Sequence, residues 1–513
     1  MACHVREANI GLPPASGRRK ISKNASAGRD TCLLLPQSPV APVMATASRP
    51  APAAAPPAVP GRLGHPVRSP GHRAHPRADE RWWVGASAVS ALLVAGALLP
   101  QPGLLDAEAG HSFAGAALER PLLYTALAPL TNSFDALALL SVRQHIAVII
   151  GALMCYAVWR ASRRLRGLTT RDGLGEGALG LLCCVTVVAV YAVACLVPRP
   201  MAALVVRDPD VVRVDFHAHT AASHDGRRWF DAEHVREWHR SGGFDVAFIT
   251  DHGTWAGAEA AERGNPARAG DGAVLLSAVE AWSGGEHLNV LGATAADSLF
   301  LLPDEQIDET AVARAVADGR RAPVLIGTMP GILDTLALGA AGGVPDRALH
   351  RVVAIELSDA APRGLEQSDS TREYLLRIAD SLDLALVAGS DNHGWGRTAA
   401  AWSLLTIPGW RDMTPDSLGR AIETRIHDER RGAVRVVERG RPRTIRGAAM
   451  LLNAPVVVWH LFASLALADR LAWLAWAWGL ALAWRAVRRR RAVPAPVLVV
   501  HHRDFAPVPL ATE

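Results

Sequence analysis

The sequence predicts an α/β fold, with parallel βαβ units arranged as a barrel and flanked by transmembrane helices. Three observations predict it. Short apolar runs, such as Val211–Val214, Val246–Ile249 and Leu384–Ala388, alternate with helix-like stretches such as Asp231–Arg240 and Thr371–Leu382. Each run delivers polar, ligand-type residues at its end, where barrels of parallel strands collect their chemistry from βα loops. Long uncharged runs lie on both sides of this region, and lengths near 20 residues fit membrane-spanning helices.

The first strand, Val211 to Phe216, ends in His217-Ala218-His219-Thr220, and Ser223-His224-Asp225-Gly226 follows. Side chains at i and i+2 on a strand point the same way, so the two imidazoles converge as a metal-ligand pair, and a nearby carboxylate completes the set. The second run delivers Asp251-His252 and the third, Ala273 to Val279, delivers Glu280. His287 opens His-Leu-Asn-Val-Leu, and the last run delivers Gly389-Ser390-Asp391-Asn392-His393-Gly394. A polar core network is the alternative to a metal site for each of these residues taken singly. Glu356 also ends a strand, either facing the pocket or paired as a structural carboxylate. His234, His239, His350 and His427 sit in helical or charged contexts and are expected to be solvated.

From Val211 to Pro408, less than half of the chain, these motifs resemble the PHP (polymerase and histidinol phosphatase) family. The resemblance implies a distorted (β/α)7 barrel holding two or three divalent metal ions (Zn, Mn or Fe), usually used to hydrolyse phosphate esters. Carried over residue by residue, the ligands are His217, His219, Asp225, His252, Glu280, His287, Asp391 and His393, with Glu280 as the bridging carboxylate. Two departures stand out. Met329-Pro330 occupies a place where the family commonly has a histidine before proline, and a thioether is a poor ligand for these metals. His224 competes with Asp225, which is preferred because the Asp-Gly pair keeps its turn chemistry.

The expected reaction is hydrolysis by a metal-activated water, with His252 or His393 protonating the leaving oxygen. Arg397 either reaches a phosphate as a planar fork or is a surface arginine or a salt-bridge partner. The substrate expected is a small phosphate ester or nucleotide. The alternatives are a catalytically weak metal-binding sensor or interaction domain, and a nuclease acting on oligonucleotide ends.

Residues 1–80 are rich in Ala, Pro and Ser with no apolar period, as in a disordered tail, and Met44 is an alternative start. Residues 81–200 are expected to hold about three spans: Trp82–Leu99, a short one from His145 to Trp159, and Ala178–Val197. Residues 205–440 form the catalytic domain, 447–487 a two-span hairpin (Gly447–Leu467 and Leu471–Val487), and 488–513 a basic tail. The lipid bilayer is therefore an expected partner, with tryptophans near the span ends.

Arginines at 160, 163, 164, 166 and 171 ask to be cytoplasmic, which places the barrel outside. Arg485 and Arg488–Arg491 ask for the same side, and five spans cannot satisfy both clusters. Either one segment does not cross or one cluster breaks the rule. The arginines at 68, 73, 77 and 81 agree with the first cluster and favour an extracytoplasmic barrel. The net charge of +5 belongs largely to these flanks and is no sign of duplex nucleic-acid binding. The six cysteines all fall in the tail or the spans, so the barrel has neither a disulfide framework nor a thiolate ligand.

Overall fold

The computed structural model describes residues 82–166, 173–283, 286–294, 300–328 and 352–491. Met329, His350, the tail before residue 82 and the tail after Arg491 lie outside the described residues. The strands are β1 (Leu104–Asp106), β2 (Ala116–Glu119), β3 (Ala203–Val206), β4 (Val211–Ala218), β5 (Val246–Ile249) and β6 (Val274–Ser283). They continue as β7 (Glu286–Leu291), β8 (Val324–Gly327), β9 (Ala354–Asp359), β10 (Ala385–Gly389), β11 (Ala401–Thr406) and β12 (Arg435–Arg439). The first helices are α1 (Val84–Leu98), α2 (Leu122–Ala126), α3 (Ala128–Ala138), α4 (Val142–Leu165), α5 (Gly173–Leu196) and α6 (Ala232–Gly242). After them come α7 (Ala256–Glu262), α8 (Glu309–Ala317), α9 (Asp369–Leu382), α10 (Pro415–Glu429), α11 (Asn453–Ala463) and α12 (Leu467–Arg491).

Ten strands form one curled sheet in the order β1-β12-β11-β4-β5-β6-β7-β8-β9-β10, while β2 and β3 make a separate ribbon. β4–β5–β6 and β8–β9–β10 pair in parallel. Their near-continuous apolar sequences are buried along their length, as strands covered on both faces require. β7 departs from the all-parallel expectation, pairing antiparallel with both neighbours. β6 and β7 follow each other too closely for the crossover that parallel strands need. The curl brings the end of β10 back to β4, where Asp391 N–H donates to His217 O (2.8 Å) and His219 N–H to Asn392 O (3.4 Å). Phe216 stacks on Phe248 at 5.4 Å in the core.

The sheet is not confined to residues 205–440, because β1 pairs with β12 as its edge strand. β12 runs antiparallel to β11, which runs antiparallel to β4. The C-terminal ends of β12 and β4 therefore share one rim. The chain enters β1 from α1 at that rim, where Leu104 pairs with Arg439, and it leaves β12 for α11 there too.

Among the described residues, α4 and the Gly177–Ala194 stretch of α5 are each long and apolar enough to cross a membrane. α4 is longer than its apolar run because a capping box between Ser141 and Gln144 starts it early. α1 is a shorter apolar helix of 15 residues. The expected hairpin over 447–487 is instead a broken element, bent by 109° between Ala463 and Leu467. α11 has 11 residues, about 16 Å, too short for a hydrocarbon core of about 30 Å. Arg470 fixes the bend by donating to Leu465 O (2.9 Å) and, on α1, to Leu93 O (2.7 Å).

Candidate metal centre

β4 delivers His217 and His219 to the rim on one face, as the strand period requires. Both imidazoles are buried, and their Nε2 atoms lie 3.1 Å apart. Glu280 of β6 places Oε2 3.2 Å from His217 Nε2 and 3.3 Å from His219 Nε2. Asp391, just past β10, places Oδ1 3.5 Å and 3.3 Å from the same nitrogens. Two ring nitrogens and two carboxylate oxygens thus crowd round one point. The edges of a tetrahedron of ligands at about 2.0–2.1 Å from a metal are about 3.3–3.4 Å. The donor set therefore fits a divalent cation.

Two further groups surround this one. His219, Asp225, His252 and His393 converge, with Asp225 Oδ2 3.0 Å from His393 Nε2 and 3.5 Å from His252 Nε2. His252, Glu280 and His287 form the third group, in which Glu280 Oε1 meets His287 Nδ1. Glu280 thus joins the two groups, its Oε2 facing His217, His219 and His252 and its Oε1 facing His287, as a bridging carboxylate would. All eight residues expected as ligands come together. His224 is exposed and Asp225 takes the place in the cluster.

Backbone detail holds these side chains. Asp391 adopts a left-handed conformation (φ 46°), uncommon for a residue with a Cβ. A Cβ at Gly389 would overlap Glu356 Oε1 and His217 Cβ, so only glycine lets β10 approach the ligands. Glu356 stands behind His217, with Oε1 3.3 Å from its Nδ1, and orients the ring as outer carboxylates do for ligating histidines.

His239 is corrected from solvated to fully buried. Its Nε2 lies 2.8 Å from Asp215 Oδ2, and its Nδ1–H donates to Val235 O at 2.8 Å. Its helix buries Val235, Trp238, His239 and Gly242, an i, i+3, i+4, i+7 face that its charged neighbours obscure in the sequence. Asp215 Oδ1 accepts the N–H groups of His217 (3.1 Å) and Ser390 (2.9 Å), so this pair braces two ligand-bearing segments from below. Asp215 was legible as a residue two before His217 on the same strand face. His427 is half-buried, donating to Ala322 O, whereas His234 is exposed as expected. Asp251, unassigned in the sequence reading, is buried and accepts Thr220 N–H (2.6 Å) and Oγ1–H (2.7 Å), closing the loop that carries Asp225.

Arg397 is buried rather than exposed. It donates to Leu196 O at the end of α5 (3.3 Å) and lies over the Trp229 ring at 4.6 Å.

Charge in the cluster is strongly coupled. Burial would lower the imidazole of His217, but Glu280, Glu356 and Asp391 outweigh it and raise it well above its ordinary value of 6.5. Burial likewise opposes His252 and His393, and Asp225 with Glu280 or Asp391 raises both. Asp225 itself is held well below the usual carboxylate range against its burial, chiefly by His252 and His393. Asp359 is pushed well above the ordinary carboxylate value by burial and by Asp391 and Glu356.

Metal ligation needs neutral imidazoles. Because their values are raised, loading Zn at neutral pH is expected to release protons, and affinity to rise with pH above 6.5 until the imidazoles are neutral. Titration calorimetry in two buffers of different protonation enthalpy checks this; heats independent of buffer would contradict it.

Fold and donor set define a class: an α/β chain with a divalent-metal-type cluster at the C-terminal rim of a curled sheet. No family model matches the chain, and no curated protein does. Among solved structures, it is similar to PsfC from Pseudomonas syringae PB-5123, at 17% identity and TM-score 0.30 over 49% of this chain and 98% of that one. A candidate metal-dependent phosphoesterase from Bifidobacterium adolescentis shares 19% identity at TM-score 0.24, over 40% and 94% of the two chains. The lesion-specific endonuclease PfuEndoQ from Pyrococcus furiosus shares 13% at TM-score 0.32, over 42% and 56%. These likenesses are too distant to assign an activity.

Proposed function

We propose that this chain is a membrane-anchored, metal-dependent phosphoesterase with an extracytoplasmic barrel. The observation that carries the chemistry is the convergence of His217, His219, Glu280 and Asp391 on one point, joined through Glu280 to a second, more open group. When bound, divalent ions supply Lewis acidity and a water acidified toward neutrality. The buried imidazoles of His217 and His219 and the carboxylate of Glu280 hold the inner position away from solvent. His252, His287 and His393 are half-buried and Asp225 is more exposed, so a phosphate ester approaches from their side. Of His252 and His393, the one not committed to a metal is placed, beside Asp225, to give a proton to the leaving oxygen.

The proposed topology takes four crossings, α1, α4, α5 and α12; α4 and α5 are each long and apolar enough alone, α1 is shorter, and α12 qualifies only together with the segment before it. α1 and α12 run antiparallel, since Arg485 lies over Trp82 (4.7 Å) at one end and Arg470 meets Leu93 at the other. α4 starts at the barrel, where Arg143 pairs with Glu366 at 2.5 Å, and α5 returns to it. Among the described residues, the arginines at the end of α4 and at the end of α12 then lie opposite the barrel. Trp82, Trp159 and Trp484 mark that far surface, each with an arginine over its ring. With one segment, α11, not crossing, the two clusters share one side in this reading.

The test uses the full chain loaded with Mn or Zn and a generic aryl phosphate. Phosphate release that His217→Ala abolishes is the expected result. Metal-loaded protein without phosphatase or diesterase activity would leave a metal-binding sensor as the reading instead. A fluorescent protein fused to the C terminus is expected to report from the cytoplasm.

A further inference from the structure

The rim that holds the cluster is also the rim that meets the apolar helices. α1 feeds β1 there, β12 leaves for α11 there, and the end of α5 is gripped there by Arg397. Asp391 and His393 belong to the same loop as Arg397. His393 and Arg397 are four residues apart, at most about 14 Å along the chain, and the Arg397 side chain bridges the remaining distance to Leu196 O at the end of α5. The site therefore opens on the rim that is joined to the apolar helices.

That mouth carries a ladder of alternating cations and indoles. Arg227 lies over Trp395 at 3.6 Å and over Trp229 at 5.1 Å, and Arg397 lies over the same Trp229 at 4.6 Å. Trp395 is 55% exposed and Trp229 37%, large apolar surfaces presented outward beside ligand residues. Arg227 is tied to the cluster because its N–H donates to His393 O (3.1 Å), and its buried Nη1 has no hydrogen-bond partner. Below the ladder, Val193, Leu196 and Val197 at the end of α5 are exposed apolar surface. Indoles of this kind favour the headgroup level of a bilayer, and guanidinium groups favour phosphate. A substrate dissolved in water would use neither the exposed indoles nor a mouth on the rim joined to the apolar helices.

We propose that the substrate is a phosphate ester carried on a membrane lipid. The tail stays in the bilayer beside α5, Trp229 and Trp395 rest at the headgroup level, and Arg227 steadies the phosphate in front of His252 and His393. The assignment rests on the phosphoesterase reading above and names its substrate class.

The experiment reconstitutes the full, Mn-loaded chain in phosphatidylcholine vesicles holding phosphatidic acid or phosphatidylglycerol. Hydrolysis is compared with that of soluble glycerol 3-phosphate and an aryl phosphate. The expected result is a kcat/KM for at least one lipid about tenfold or more above that for glycerol 3-phosphate. Trp395→Ala, at an exposed position, is expected to lower lipid turnover about tenfold more than aryl phosphate turnover. Quenching of tryptophan fluorescence by brominated lipid should also fall in Trp395→Phe. Hydrolysis of the aryl phosphate with neither lipid attacked, or equal losses on both substrates with quenching unchanged, overturns the lipid assignment and leaves the phosphoesterase standing. No hydrolysis of any probe overturns both, and the quenching then reports only whether the rim touches lipid.

Discussion

Replacing Glu280 with glutamine is expected to empty two metal positions at once. One carboxylate oxygen faces His217 and His219, and the other meets His287. Glutamine keeps the shape, so the strand and its packing persist, but it removes the charge and offers an N–H₂ where a ligand oxygen stood. Loss of an outer partner alone typically costs about 10–100-fold in metal affinity, so loss of a shared inner carboxylate should exceed about 100-fold. Metal content after dialysis, measured by mass spectrometry, should fall at both positions together, and phosphate release with it. Full metal content in Glu280→Gln would refute the bridging role.

Asp135→Ala should produce the largest loss of stability. This buried carboxylate sits where four segments meet. Its Oδ2 accepts from Tyr124 OH (2.8 Å) and Arg439 (3.0 Å), and its Oδ1 from Thr398 Oγ1 (2.8 Å) and Arg199 (3.2 Å). Burial alone would raise it, but Arg439 and Arg199 outweigh that and keep it ionised. Removing one partner of a buried pair typically costs about 3–5 kcal/mol, because the other charge is left uncompensated. Here two guanidinium groups are stranded. The midpoint of thermal unfolding of the detergent-solubilised chain should drop accordingly. A double variant that also replaces Arg439 with leucine should recover part of the loss. Because Thr398 lies five residues beyond His393, the same network fixes the metal-bearing loop against α3 and the linker after α5.

The ligands were legible because strand periodicity is local. His217 and His219 share a face by their spacing alone, and Asp251-His252, Glu280 and Asp391-Asn392-His393 each follow a run too apolar to be anything but buried strand or helix. His239 was misread because its neighbours Glu237, Arg240 and Ser241 dominate the local charge, while its partner Asp215 lies 24 residues away. Arg397 was read by its distance from His393 and not by Leu196, whose carbonyl it grips from 201 residues away in the chain. The arginine clusters were legible, yet their conflict was not soluble from sequence. Whether 447–487 crosses twice depends on a bend held by Arg470 against α1, which precedes it by more than 350 residues.

By itself, then, the sequence determined which His, Asp and Glu residues cluster, the α/β character and the apolar segments, since each is written in side-chain type and spacing within a few residues. Only the tertiary structure decided which oxygen of Glu280 faces which histidines, that β1 joins the sheet, and that β7 runs antiparallel. It also decided that the rim holding the ligands is the one joined to the apolar helices. Those outcomes depend on hydrogen bonds and ion pairs between segments far apart in the chain. Their registers are set by which buried partners are satisfied together, and no local pattern records that.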